Sequence, residues 1–306
     1  MYRVVDRPLG RGGNLIPAPA SIGIFTTLTG AGSRALVERV LAACHDGTLP
    51  GVRTAFVLVN RAAGESNVTD ASVAALEAAF AVPFVRVSAT AFERAARRAA
   101  RARAEAGDEA PLQAWRDAWW ASFGHRLPPT DVDLCLGDMW IWGPRECAER
   151  RGLNLHPALP TGPLGKMWFD VTWDLVAADA RESGVMIHRI ISAVDEGPVA
   201  AWCRYPLRGG DLDALWSAIP PAGPARDAWV AERRGMGRDS DHPLFLALRR
   251  AGMAREVPLL LATVRAIADG RLRIEAGAGG GVLGAGSEAL PGGLDLTSEV
   301  EAAVVM

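Results

Sequence analysis

Short apolar runs alternate with amphipathic stretches through the first half of the chain. Apolar, β-branched runs at 21–27, 52–60 and 83–88 predict three buried strands. The intervening segments at 34–47 and 70–80 place apolar residues at helical spacing. Strands that alternate with helices predict an α/β fold with a doubly wound, mostly parallel sheet, whose N-terminal half is Rossmann-like.

The second half continues this alternation less regularly. The run at 132–137 predicts a fourth strand, and helical spacing follows over about 169–181. The segments 184–192 and 199–207 have the apolar pattern of strands, whereas 217–242 is predicted to be a loop with one or two helical turns. Further helices and a short strand are expected to close the domain.

The two ends of the chain differ in composition from the middle. Residues 1–20 form a leader rich in glycine and proline, and 276–306 form a glycine-rich tail that we expect to be poorly ordered. Between them, 21–275 is predicted to be a single domain.

Composition and charge narrow the classes of function. The chain has 306 residues, of which 49% are hydrophobic and 22% charged, so it can bury a sizeable core. A net charge of −2 provides no overall field for nucleic acid or an anionic membrane, and any basic site must be local. The arginine-rich helix at 92–107 is interpreted as a solvated face, and the tryptophan stripe that follows it as core or interface.

The cysteines and the apolar runs indicate in which cellular compartment the protein is expected. Four cysteines lie far apart without a CxxC pair, which argues against a zinc ribbon or a disulfide scaffold and suits a reducing compartment. The sequence has neither the apolar core of a signal peptide nor an apolar run of the ~18 residues that a membrane span needs. We therefore predict a soluble, cytoplasmic protein without nucleic-acid or membrane partners.

A glycine-rich loop, TGAGSR at 29–34, joins the first predicted strand to the first predicted helix. Backbone N–H groups at a helix N-terminus bind phosphate, and glycines allow the ligand to approach closely. The loop also matches the motif GxGxxA, a variant of the motif that binds dinucleotides. However, Asn60 and Arg61 occupy the position at which an acidic residue would bind the ribose. A phosphomonoester site, a dinucleotide site and a plain tight turn all remain open for this loop alone.

Asn154 and His156, in the stretch LNLHPALP, are the first candidate catalytic pair. If they end a strand, its period of two places both side chains on one face. An amide donor beside an imidazole can stabilise an oxyanion, although a lone histidine is more often a core or surface residue.

Asp195, in the stretch AVDEGP, is the candidate partner of that pair. It follows a predicted strand and precedes Gly197 and Pro198, a turn that can aim its carboxylate back at the sheet edge. By itself such an aspartate is usually a turn residue. We expect the three side chains to meet at the rim of the sheet and to face an open cleft.

These motifs resemble those of the folate-dependent formyltransferases, most closely the enzymes that formylate glycinamide ribonucleotide in purine synthesis. The stretches NLHPALP and HRIISAVDEGP carry the likeness, and TGAGS, VLVNR, GDMWIW and ADGRL occur in the family's order. The likeness covers roughly 20–275. It implies a formyl transfer from 10-formyltetrahydrofolate, a co-substrate, to a phosphorylated ribosyl amine, with no metal.

The resemblance also implies roles for particular residues. The catalytic trio would be Asn154, His156 and Asp195. The substrate phosphate would be held by Gly30, Gly32 and Ser33, and we add Arg34 because a guanidinium beside a phosphate loop can form a charge-assisted contact. Glu256 would contact the amine substrate. The folate pocket would be lined by Met139, Trp140, Ile141 and Val194.

The sequence departs from the family in both predicted pockets. Trp140 replaces the usual arginine, Ala31 and Arg34 replace usual asparagines, and insertions are expected near 93–127 and 215–245. The exact acceptor therefore stays open between glycinamide ribonucleotide, another amine such as an amino sugar, and water. An NAD(P)-dependent oxidoreductase and a non-catalytic binding module are the alternatives from other classes, and either a monomer or a homodimer is possible.

Overall fold

The computed structural model describes residues 19–137, 142–277 and 279–305, apart from the side chain at 238, and centres on one eight-stranded sheet. Its strands run in the spatial order β10 (Leu294–Asp295), β7 (Val199–Pro206), β6 (Glu182–Arg189), β5 (Gly152–His156), β4 (Val132–Leu136), β1 (Ala20–Thr26), β2 (Val52–Val59) and β3 (Phe84–Arg86).

Five neighbouring strands of this sheet, from β3 to β5, are parallel, which confirms the predicted α/β fold class. Strand β6 is antiparallel to β5, and β7 is antiparallel to β6. The chain builds β1 to β3 outward and then returns to the other side of β1 with β4. In such sheets a ligand crevice forms where the strand order reverses, beyond the carboxyl ends of the strands.

Helices cover both faces of the sheet. They are α1 (Ala31–His45), α2 (Asn67–Ala79), α3 (Arg94–Glu105), α4 (Ala110–Phe123), α5 (Pro144–Glu149), α6 (Trp168–Ala177), α7 (Asp211–Ser217), α8 (Pro224–Arg234), α9 (Pro243–Ala268) and α10 (Thr297–Val305). A short antiparallel pair, β8 (Leu272–Ile274) and β9 (Val282–Gly284), follows α9. Among the described residues, no helix combines the length and the apolar composition that crossing a membrane requires.

The core has two layers, one on each face of the sheet. Ile22 and Ile24 of β1 pack into the larger layer under α1 and α9, whereas Phe25 points to the other face. There, the tryptophan stripe of α4 is buried with Trp142, whose ring centroid lies 5.0 Å from that of Phe25. The stripe is therefore core, as its interpretation from the sequence allowed.

The glycine-rich tail differs from the expectation of poor order, because its described residues form β9, β10 and α10. Leu296 and Val300 are buried in the larger core layer. Arg255 of α9 holds Glu301 of α10 with two hydrogen bonds of 2.5 and 2.9 Å. A few well-placed apolar and charged residues thus order a segment whose composition alone suggested a loop.

The segment predicted to be a loop at 217–242 also contains more regular structure than expected. Helix α8 occupies Pro224–Arg234 and begins with a proline in its first turn, a favoured position for that residue. Arg226, which is buried, donates to the carbonyl of Pro220 at 2.8 Å and contacts the carboxylate of Asp179. These tertiary contacts stabilise a helix that its weak apolar pattern did not indicate.

Candidate active site

The carboxyl end of β5 carries the first two candidate catalytic residues. Asn154 and His156 are two positions apart on this strand, so their side chains leave the same face of the sheet. Strand β5 lies next to β4, on the side of β1 to which the chain returns after β3. The pair therefore stands one strand away from the point where the strand order reverses, the position at which such sheets usually bind ligands.

Asp195 lies in the turn between β6 and β7. Its backbone has a φ of 58°, a left-handed conformation that non-glycine residues seldom adopt. Gly197 packs so closely against β6 that a Cβ there would collide with the carbonyl oxygen of Arg189. The antiparallel pairing of β6 with β5 then brings this turn back towards Asn154 and His156.

The structure brings these three predicted side chains into contact. Oδ2 of Asp195 lies 3.1 Å from Nδ1 of His156, and Asn154 donates through Nδ2 to Oδ1 of Asp195 at 3.4 Å. Both His156 and Asp195 are buried, so solvent screens their attraction only weakly. One carboxylate therefore orients an imidazole and an amide at the end of one strand.

His188 of β6 is a fourth member of this cluster that the sequence did not single out. Its Nε2 lies 3.2 Å from Nδ2 of Asn154 and 3.3 Å from Oδ1 of Asp195. The antiparallel register places His188 directly opposite Asn154. Cross-strand pairing depends on register, which the sequence of either strand alone does not reveal.

His156 is covered rather than open, which differs from the expected cleft. It is 3% exposed, and its Nε2 lies 2.7 Å from the carbonyl oxygen of Pro163. Asp195 and Pro163 both offer acceptors, so a doubly protonated imidazolium satisfies both contacts at once. A substrate oxygen can take this place at Nε2 only if the carbonyl of Pro163 moves away from the ring.

The carboxylate of Asp195 has a pKa well below its usual range. Burial acts to raise that pKa, but the hydrogen bonds and charges of His156 and His188 outweigh burial. The ionised form of Asp195 is thus strongly favoured in the folded protein.

We expect Asp195→Asn to flatten the dependence of stability on acid pH. Because folding lowers the pKa of Asp195, the carboxylate stabilises the native state above the ordinary carboxyl pKa of about 4. That contribution is lost as the pH falls towards the folded-state value, with a slope of at most about 1.4 kcal/mol per pH unit. Urea unfolding between pH 7 and the acid limit checks this difference. Parallel curves for the two proteins would contradict it.

Gly197→Ala is expected to destabilise the fold by about 1–3 kcal/mol, because the new methyl group must push β6 and the turn apart. The same movement displaces Asp195, two residues away. Denaturant unfolding measures the change, and Gly292→Ala is a matched control, since a Cβ at that position would have nothing within 4 Å. Equal stability of the two variants would show that the turn is free to adapt.

The predicted phosphate loop lies at the carboxyl end of β1, where Gly30 caps α1. Ser33 is buried, and its Oγ donates to the carbonyl of Gly30 at 3.0 Å, so this hydroxyl stabilises the loop itself. Gly32 is exposed. Nε of Arg34 lies 3.9 Å from Oε2 of Glu38. The loop therefore offers a helix N-terminus, and the guanidinium of Arg34 lies near Glu38, one turn further along α1.

The ribose-binding acid of a dinucleotide site is missing at the end of β2. Asn60 is buried there, and its backbone carbonyl accepts a hydrogen bond of 3.1 Å from Arg61. Proteins that bind a nicotinamide dinucleotide usually have an acidic residue at this position, where it binds the ribose. Here Asn60 and Arg61, which carry no negative charge, occupy it. The geometry does not favour an oxidoreductase.

The remaining predicted site residues are more scattered. Glu256 is buried on α9 and pairs with Arg249 at 2.5 Å, and no hydrogen bond between described residues joins it to the trio. Val194 is 42% exposed beside Asp195. Met139, Trp140 and Ile141 lie outside the described residues. Within the part of the chain that the structure describes, no group of three or more ligating side chains is arranged to hold a metal ion.

No protein-family profile and no curated protein matches the sequence, but solved structures share its fold. Glycinamide ribonucleotide transformylase 1 from Symbiobacterium toebii is 21% identical over 87% of this chain and 96% of its own, with a TM-score of 0.53. Formyltetrahydrofolate deformylase from Burkholderia mallei is 16% identical over 83% of this chain and 67% of its own, with a TM-score of 0.50.

A second formyltetrahydrofolate deformylase, from Pseudomonas syringae, gives the same TM-score of 0.50 at 16% identity, over 85% of this chain and 64% of its own. This chain therefore spans about two thirds of the deformylases but nearly all of the transformylase. The chain has the fold that glycinamide ribonucleotide transformylases and formyltetrahydrofolate deformylases share.

Proposed function

We propose that this protein is an enzyme that transfers the formyl group of 10-formyltetrahydrofolate to a primary amine. The observation that carries the proposal is the contact of Asp195 with both Asn154 and His156 at the end of β5. Two hydrogen-bond donors grouped with one carboxylate are the side chains that an acyl transfer to an amine would use. The fold shared with formyl-transferring enzymes supports the same reaction class.

The chemistry begins when the amine nitrogen attacks the formyl carbon. A new C–N bond forms, and the π electrons of the carbonyl move to its oxygen, which becomes an oxyanion. Nε2 of His156, with Nδ2 of Asn154 after a small reorientation, would donate to that oxygen. The carbonyl oxygen of Pro163 now lies 2.7 Å from Nε2, a distance suited to such an acceptor.

Collapse of the tetrahedral intermediate completes the transfer. The bond between the formyl carbon and the folate nitrogen breaks, and that nitrogen takes up a proton as it leaves. The attacking amine loses a proton in the same sequence. Ionised Asp195, through a water, would carry the proton from the amine towards the leaving nitrogen, and its contact with Nδ1 would keep the ring of His156 oriented.

The acceptor that we favour is glycinamide ribonucleotide, whose phosphate would bind at the N-terminus of α1. The backbone of Gly30, Gly32 and Ser33 would contact the phosphate, and Arg34 would add a charge-assisted hydrogen bond. Glu256 would contact the amine end of the acceptor after leaving Arg249. Folate would bind beside Met139, Trp140, Ile141 and Val194. A protein with these two substrates needs no metal and would act in purine synthesis in the cytoplasm.

An acceptor panel tests the proposal. Purified protein is given 10-formyltetrahydrofolate with glycinamide ribonucleotide, with amino sugars or with no amine, and the released folate is followed by absorbance. Turnover that depends on glycinamide ribonucleotide supports the proposal in full. Turnover with water alone would make the protein a deformylase. No release under any condition, together with binding of a nicotinamide dinucleotide, would overturn formyl transfer.

The phosphate part of the proposal has its own measurement. Arg34→Ala is expected to raise KM for glycinamide ribonucleotide about tenfold or more without a comparable change in kcat, because a charge-assisted hydrogen bond to the phosphate is lost. KM for the folate should stay unchanged in the same variant. An unaltered KM for the acceptor would remove Arg34 from the site.

A further inference from the structure

A groove of about 470 Å³ lies along α3, away from the candidate active site. Four arginines, Arg94, Arg97, Arg98 and Arg101, line it together with Thr90 and Glu105. The arginines follow the helical positions i, i+3, i+4 and i+7, so they project from one face of α3. With Glu105 included, the residues that line the groove carry a net charge of about +3. The volume of the groove is within the range of small-molecule binding sites.

The four guanidinium groups carry more positive charge than the one acid that lines the groove with them, Glu105, can balance. Among the residues that the structure describes, none of the four forms an ion pair, whereas Arg103 on the same helix pairs with Asp108. A solvated helix face usually interleaves acids with bases at i+4, and such pairs stabilise the helix. Here, most of the i+3 and i+4 neighbours among these arginines are like charges, which repel each other. An anion in the groove would relieve that repulsion.

Two contacts within the protein hold residues of the groove in position. Arg97 is half-buried and lies over the ring of Trp115, 5.4 Å from its centroid. Burial lowers the pKa of Arg97, and the charges of Arg101 and Arg61 lower it further. At the rim, Thr90 donates to Glu65 at 2.9 Å, which fixes the turn before the helix. The site is thus partly organised before any ligand arrives.

We propose that this arginine groove binds a small molecule that carries two or more linked phosphate groups. Arginine forks engage phosphate oxygens in pairs, and each tetrahedral phosphate can accept from more than one guanidinium. The arginines span about 10 Å along the helix, a length that suits a short polyphosphate. A nucleic acid fits less well, because the whole chain has a net charge of −2 and the groove is short.

Calorimetric titration of the full chain with tripolyphosphate tests this site. We expect saturable binding that weakens as salt is raised. The double variant Arg98→Gln/Arg101→Gln should bind at least about tenfold more weakly, since two charge-assisted contacts are lost. Both side chains are exposed, so the fold should tolerate the change. Arg103→Gln is the matched control on the same helix, and Arg34→Ala separates this groove from the loop at α1.

The outcomes are decisive in both directions. Loss of binding in the double variant, with binding retained in Arg103→Gln, supports the groove, whereas loss in Arg34→Ala but not in the double variant would assign the binding to the loop at α1 and overturn the groove. Equal affinity of the double variant and the wild type overturns it, as does the absence of saturable binding. Citrate binding as tightly as tripolyphosphate would contradict a phosphate site. An RNA oligomer that binds more tightly than tripolyphosphate would replace the small molecule with a nucleic-acid partner.

Discussion

His156→Ala is expected to slow formyl transfer by about 10²–10³-fold, the usual cost of removing one donor to a developing oxyanion. The loss should appear mainly in kcat, because the oxyanion exists only after the amine has attacked. Steady-state assays with saturating formyl donor and acceptor measure the effect. Near-normal turnover of this variant would remove His156 from the reaction.

The variant needs a control that separates chemistry from folding. His125→Ala is suitable, because this histidine is exposed and lies in the turn after α4, apart from the cluster. The control should keep both its turnover and its unfolding midpoint. If His156→Ala also unfolds at a much lower denaturant concentration than the wild type, His156→Asn, which retains a polar side chain, becomes the variant to assay.

Asp195→Asn should produce a loss of similar size, since it removes the negative charge that contacts Nδ1 of His156 and orients its ring. Residues that act as one unit show non-additive effects. The double variant His156→Ala/Asp195→Asn is therefore expected to be little slower than either single variant. Fully multiplicative losses would indicate that the two side chains act in separate steps.

The cluster of side chains around Asp195 illustrates which parts of a candidate site the sequence can reveal. Asn154 and His156 could be paired from their spacing, because the period of a strand fixes which side chains share a face. Asp195 could be added from the glycine and proline that follow it. His188 and the carbonyl of Pro163 could not be found in the same way. Both contacts depend on how separate segments pack, and neither leaves a local signal in the sequence.

The fold was predictable where local patterns and tertiary packing agree. Alternating apolar runs and helical spacing indicated the parallel half of the sheet correctly. The tail at 276–306 was expected to be poorly ordered, and this expectation differed from the structure because the order of the tail depends on a few distant contacts. One of them is the contact between Arg255 and Glu301. Composition describes the average character of a segment, whereas a single ion pair or a buried side chain such as Val300 decides whether it packs.

A buried ion pair between Asp133 of β4 and Arg150 leads to the second large effect that we expect. Asp133 is fully buried, and Arg150 donates to its two carboxylate oxygens at 2.6 and 2.8 Å. Thr130 adds a hydrogen bond of 2.7 Å to the same carboxylate. A Cβ at Gly23 would collide with Oδ1 of Asp133, so β1 approaches this carboxylate without room for a side chain.

Asp133→Ala should lower the free energy of unfolding by about 3–5 kcal/mol, because it leaves the guanidinium of Arg150 almost buried without its counter-charge. Urea unfolding at neutral pH measures the loss. Glu299→Ala, which removes an exposed partner of Arg271 at 3.5 Å, is the control and should cost less than about 1 kcal/mol. A double variant, Asp133→Ala/Arg150→Met, should recover part of the stability, since no unpaired charge remains. If the double variant is no more stable than Asp133→Ala, the lost hydrogen bonds and packing at Asp133 account for the destabilisation. The unpaired charge of Arg150 would then not be its cause.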